Sequence, residues 1–197
     1  MESKCRVLGG IVLPHVDGHI KMAPFDLATL VGLPLEFVDT VRQMLVGVSN
    51  LVGTAYFTIH GKTLYKGQTL RRGGPHTDGN YEPIKMGFGQ GGGNGWKVGE
   101  NGPPVGSDMH TRQYASECGG IIIASNYESC LGWDGEYYGL PSVGGNCSHI
   151  RLDSPFNLMR NTIYYGNNHF IHESLPVNDN VHRVMARITM PENHVFN

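Results

Sequence analysis

From Gly53 onward the chain is a series of short segments rich in β-branched and aromatic residues, separated by turn signals, with no helical pattern between them. "TAYFTIHG" comes first, and "TLYKGQTLRRGG" follows as a further extended pair around a Lys-Gly turn. "GGIIIASNYESCLGW" holds a fully apolar strand at Ile121–Ile123. "TIYYGNNHFIHES" predicts two short strands joined by a hairpin turn at Gly166-Asn167-Asn168, and "NVHRVMARITM" predicts a last strand. Strands in series without intervening helices predict an antiparallel barrel or sandwich.

The first part of the chain reads differently. "RVLGGIVL" predicts a strand weakened by Gly9-Gly10. Its short apolar run, preceded by Lys4 and Arg6, loosely imitates a signal peptide, but Glu2 and Pro14 sit badly for cleavage. "APFDLATLVGL" predicts a short helix capped by Asp26 and ended near Gly32. "PLEFVDTVRQMLVGV" predicts a helix from Pro34, with Leu35, Val38, Val41 and Leu45 on one face. The two helices predict a small accessory layer over residues 22–50 beside a β core over 53–190, within a single domain spanning 1–197.

Charge narrows the partner classes. Net charge is -2 and charged residues make up only 16% of the 197. With no polybasic run, bulk charge does not indicate a nucleic-acid or membrane-surface partner. Arg71, Arg72 and Arg151 are the material for a local basic patch. No segment approaches the roughly 18 apolar residues of a membrane span. The four cysteines, Cys5, Cys118, Cys130 and Cys147, form no CxxC pair, so reduced thiols and a cytoplasmic location are expected. Many of the 28 glycines cluster at 85–106, which predicts a long irregular loop, either functional or a tolerated surface insertion.

Histidines and carboxylates supply the candidate chemistry. A non-haem iron site needs two imidazoles and one carboxylate on one face of the metal. His76 and Asp78 in "PHTDG" are two apart, so an extended chain points them the same way. His172 in "FIHES" is the candidate third ligand, contributed by a later strand. A second His-x-Asp pair, His15 and Asp17 in "PHVDGHI", is a decoy by this reading because no sheet precedes it. Arg183 and Arg187, four apart on the last strand, project to one side, and Val184, Ala186 and Ile188 take the other. Two guanidinium groups facing one way call for an anion, and a dicarboxylate fits their forked donors. His169 is read as facing the other side of the His172 strand, and His182 as facing away from the arginines; His60, His110 and His149 have no spacing partner.

With "HTD" at 76–78, "HES" at 172–174 and "HRVMAR" at 182–187, the sequence resembles the Fe(II)/2-oxoglutarate-dependent oxygenases over roughly 55–190. The resemblance implies a double-stranded β-helix, a distorted jelly roll. It implies that His76, Asp78 and His172 hold Fe(II), and that Arg183 pairs with the far carboxylate of 2-oxoglutarate, with Arg187 the competing match. A carboxylate among the ligands is the pattern of hydroxylases rather than of the related halogenases. Tyr81, Trp133 and Tyr137 are candidate substrate contacts on the loops around the mouth, or else rings packed on the barrel rim. The implied activity is hydroxylation of a small-molecule or peptide substrate that the sequence does not identify, and oligomeric state is left open. The competing expectations are a cupin-like metalloenzyme that does not use 2-oxoglutarate and a non-catalytic jelly-roll module.

Overall fold

The computed structural model describes residues 1–78, 119–142, 145–191 and 194–196. Its strands are β1 (Glu2–Ser3), β2 (Cys5–Gly10), β3 (Gly18–Asp26), β4 (Thr54–Leu64), β5 (Ile121–Ser125), β6 (Cys130–Trp133), β7 (Gly135–Glu136), β8 (Phe156–Asn157), β9 (Thr162–Gly166), β10 (Ile171–Ser174) and β11 (Val181–Thr189). Among the described residues one α-helix, α1 (Val38–Met44), follows a 3-10 turn at Leu35–Phe37. The fold is mainly β, and its described strand pairs are antiparallel. A six-stranded sheet runs β2-β9-β5-β11-β4-β3, a three-stranded sheet β10-β6-β8, and a small pair joins β1 to β7. No barrel closes among the described residues.

The six-stranded sheet is buried on both faces. On one side Phe57, Ile59, Ile122, Ala124, Val184, Ala186 and Ile188 pack with Phe37, Val41 and Met44 from the helical layer. On the other, Ile121, Ile123 and Met185 pack with Cys130 of the second sheet and with Leu158 and Phe170. Residues alternate between faces along a strand, so a strand covered on both faces reads as a continuous apolar run. The Ile121–Ile123 run has this cause.

Three local readings are corrected, the first being the extended pair around Lys66-Gly67: β4 runs unbroken to Leu64 and residues 65–73 form no strand. Residues 26–32 are not a helix: β3 continues to Asp26, whose carboxylate accepts hydrogen bonds from the Thr29 N–H and hydroxyl at 2.8 and 2.7 Å. An aspartate that caps a helix also closes an Asx turn, and here Leu30 at φ 61° and Gly32 at φ 103° turn the chain away. The helical layer is therefore confined to Leu35–Met44. Leu35 lies in the 3-10 turn and is exposed, while Phe37 points inward in its place. The Gly166-Asn167-Asn168 turn does not close a hairpin either. β9 belongs to the large sheet and β10 to the small one, so the chain crosses between sheets there. β11 separates Arg183 and Arg187 from Val184, Ala186 and Ile188 as read, and the "RVLGGIVL" strand forms in part, as β2 at Cys5–Gly10, with Ile11–Leu13 outside it.

Candidate metal centre

β10 lies at the edge of the small sheet, where its backbone groups face outward. The segment around His76 pairs with that edge. His76 N–H donates to the His172 carbonyl and His172 N–H to the His76 carbonyl, both at 3.0 Å. Residues that exchange both bonds across an antiparallel pair are directly opposite, so their side chains share a face. Asp78 is two residues along and joins the same face. The backbone bridge itself therefore assembles the three groups. Gly145 holds the segment from the other side, its carbonyl accepting the Thr77 N–H at 2.9 Å. A Cβ on Gly145 would stand 2.2 Å from the Thr77 carbonyl oxygen, so only glycine permits this approach.

His76, Asp78 and His172 are all buried, and one ligand atom from each lies within 4.8 Å of the others. The imidazole centroids are 4.6 Å apart. His76 Nδ1 lies 2.7 Å from the Gly74 carbonyl and His172 Nδ1 3.2 Å from the Phe170 carbonyl. A ring nitrogen facing a carbonyl carries the proton, so each Nε2 keeps its lone pair for the interior. His172 Nε2 is 3.4 Å from Asp78 Oδ2, and Asp78 Oδ1 is buried with no hydrogen-bond partner. Two lone pairs turned toward a buried carboxylate repel it unless a cation lies among them. This donor set fits a divalent metal ion.

Charge in the cavity agrees. Burial, then the neighbouring His172, pushes the His76 imidazole down to about 3 and keeps it neutral. Burial alone would raise the Asp78 carboxyl, but the Arg187 guanidinium, with smaller help from His172, holds it well below the usual carboxylate range. Arg187 Nη1 donates to Asp78 Oδ2, so the guanidinium occupies the side from which an ion would approach. With Arg187 in that position the cavity measures about 20 Å³, enough for one ion or water. Arg183 is held differently. Its Nη1 donates to Ser174 Oγ at 3.0 Å, its Nη2 contacts Cys130 Sγ at 2.9 Å, and its Nε donates to Ser125 Oγ at 3.4 Å. Both arginines are 0–2% exposed and line the same cavity as the three ligand candidates.

The other candidates fall elsewhere. Tyr81 and the 85–106 segment, with His110 and Cys118, lie outside the described residues. Trp133 and Tyr137 pack in a separate apolar cluster with Cys147, Ile150 and Ile171, and neither lines the cavity. His169 precedes β10 in a turn instead of facing across it. Ser174 escaped the sequence reading, although it stands two residues beyond His172 and so on the same face. Arg71 also lines the cavity, lowered to about 10 by burial and then by Arg187. It sits in an irregular segment where no periodicity marks it. Cys5, Cys130 and Cys147 are free thiols, and no helix among the described residues is long and apolar enough to cross a membrane. Compared with family models, with curated proteins and with solved structures, the chain matches none.

Proposed function

We propose that the chain is an Fe(II)/2-oxoglutarate-dependent oxygenase that hydroxylates a small-molecule or peptide substrate, with the two packed sheets forming the core of a double-stranded β-helix. The observation that carries the reading is the convergence of His76, Asp78 and His172 on one buried face, with Arg183 and Arg187 on the same cavity. His76 Nε2, His172 Nε2 and an Asp78 oxygen would hold the metal. Bound iron and 2-oxoglutarate would supply the oxidising chemistry. The chain's own groups bind, orient and exclude water. The two carbonyls behind the imidazoles keep the ligating nitrogens deprotonated and aimed. Arg183, fixed by Ser174, Ser125 and Cys130, offers its fork to the far carboxylate of the cosubstrate. Ile123 and Met185 supply apolar wall. A metal ion held by these three groups would take over from Arg187 as the countercharge of Asp78.

The test is succinate formation from 2-oxoglutarate by purified protein, with and without Fe(II). Turnover should require iron and vanish in His172→Ala; turnover that survives the substitution removes His172 from the centre. A cupin-like centre that does not use 2-oxoglutarate would bind metal, but 2-oxoglutarate would then leave its melting temperature unchanged.

A further inference from the structure

The pair set aside as a decoy in the sequence acquires a third partner in the fold. His15 Nε2 lies 3.2 Å from Asp17 Oδ2, and His182 Nε2 lies 2.9 Å from Asp17 Oδ1. The two imidazoles stack with centroids 4.1 Å apart and planes 27° from parallel. Ligand atoms of all three residues fall within 4.8 Å of one another. The donors come from distant parts of the chain, the segment before β3 and the start of β11, so the cluster is a product of tertiary structure.

Close backbone packing holds that segment in place. Gly18 pairs with Gly61 of β4, and Gly61 also pairs with Val184 of β11. Residues 15–17 therefore pass over the end of β4 toward β11. A Cβ on Gly61 would stand 1.7 Å from the Val16 carbonyl oxygen, so the segment lies directly on the bare backbone of β4. Val16 packs against the core, and its neighbours His15 and Asp17 are left at the surface beside His182.

We propose that His15, Asp17 and His182 form a second metal site, on the surface, for a borderline divalent cation such as zinc. Two imidazole nitrogens and one carboxylate oxygen make up a common zinc donor set, and solvent completes the coordination. The stacked rings bring both Nε2 atoms to the two oxygens of one carboxylate, so a single ion can take a ligand atom from all three residues at once. The bound ion ties the crossing segment to the residue immediately before Arg183. The site stands independently of the oxygenase reading.

Zinc is the probe. The untagged full chain is stripped with chelator, equilibrated with excess zinc and dialysed, and bound zinc is counted by mass spectrometry. His15→Gln and His182→Gln should each bind one equivalent less than the wild type. The count at the buried centre is common to all three proteins, so the difference survives even if that centre takes no zinc. Equal counts in the three proteins, or a loss in only one variant, would overturn the site. Circular dichroism checks folding. Should either variant misfold, Asp17→Asn, at a side chain 74% exposed, replaces it with the same expected loss.

Discussion

Arg187→Met removes the guanidinium that faces Asp78 and leaves an apolar side chain of comparable reach. Asp78 is 3% exposed, its Oδ1 already lacks a partner, and its Oδ2 keeps the His172 contact at 3.4 Å. Arg187 is the arginine that holds Asp78 ionised, ahead of the more weakly coupled Arg71 and Arg72, so a carboxylate at that depth in the metal-free variant takes up a proton. In the unfolded chain the same group titrates at about 3.9, about 3 pH units below neutrality. At about 1.4 kcal/mol per unit, holding it protonated costs about 4 kcal/mol, in line with the ~3–5 kcal/mol seen when a buried pair loses one partner. The sign follows from proton counts. The folded variant keeps a proton that the unfolded chain releases above about 3.9, so its deficit against the wild type shrinks as pH falls. In the wild type the Asp78 pKa is depressed, so that stabilisation is present above about 3.9 and is lost only as pH falls below it. Urea denaturation of chelator-treated proteins should give a gap of about 4 kcal/mol at a pH of about 7, falling to about 1.5 at about 5. Saturating Mn(II) at the higher pH should narrow the gap, because the ion replaces the missing charge. A gap that ignores pH, or none at all, would refute a buried, Arg187-dependent carboxylate.

Three further outcomes are expected. Arg183→Ala should weaken 2-oxoglutarate binding to the Mn(II)-loaded protein by about 30-fold or more, as for loss of one partner of a buried charge pair, and by more than Arg187→Ala; the reverse ranking in a titration exchanges their roles. The metal-free wild type should lose stability on acidification from about 6.5 toward about 3, since the unfolded chain protonates His76 while the folded chain holds it neutral; the loss approaches about 5 kcal/mol and its slope should flatten in His76→Gln. Gly61→Ala should displace residues 15–17 from β4, lowering stability by about 1–3 kcal/mol and removing the same zinc equivalent as His182→Gln; retention of that zinc would mean the segment does not depend on the close approach.

Much of the candidate site was legible because strand stereochemistry is local. Period-two alternation alone separates Arg183 and Arg187 from Val184, Ala186 and Ile188, and turns His76 and Asp78 the same way. The misreadings arose where one local chemistry serves two structures. Asp26 could cap a helix or close an Asx turn, and the Leu30 backbone at φ 61° takes the second course. Gly166-Asn167-Asn168 is a turn in either reading, but nothing within it tells whether the flanking strands pair or part.

Alternation along β11 and within the His-x-Asp pairs thus belongs to the amino-acid order itself, since each residue's stereochemistry dictates where its neighbours point. Which faces meet is a matter of long-range pairing. Hydrogen bonds between His76 and His172 bring the buried donors together. The bare backbone of Gly61 lets Val16 lie close, and His15 and Asp17 reach His182 as a result. Those pairings depend on register and on close approach between segments far apart in the chain, and only the folded structure contains them.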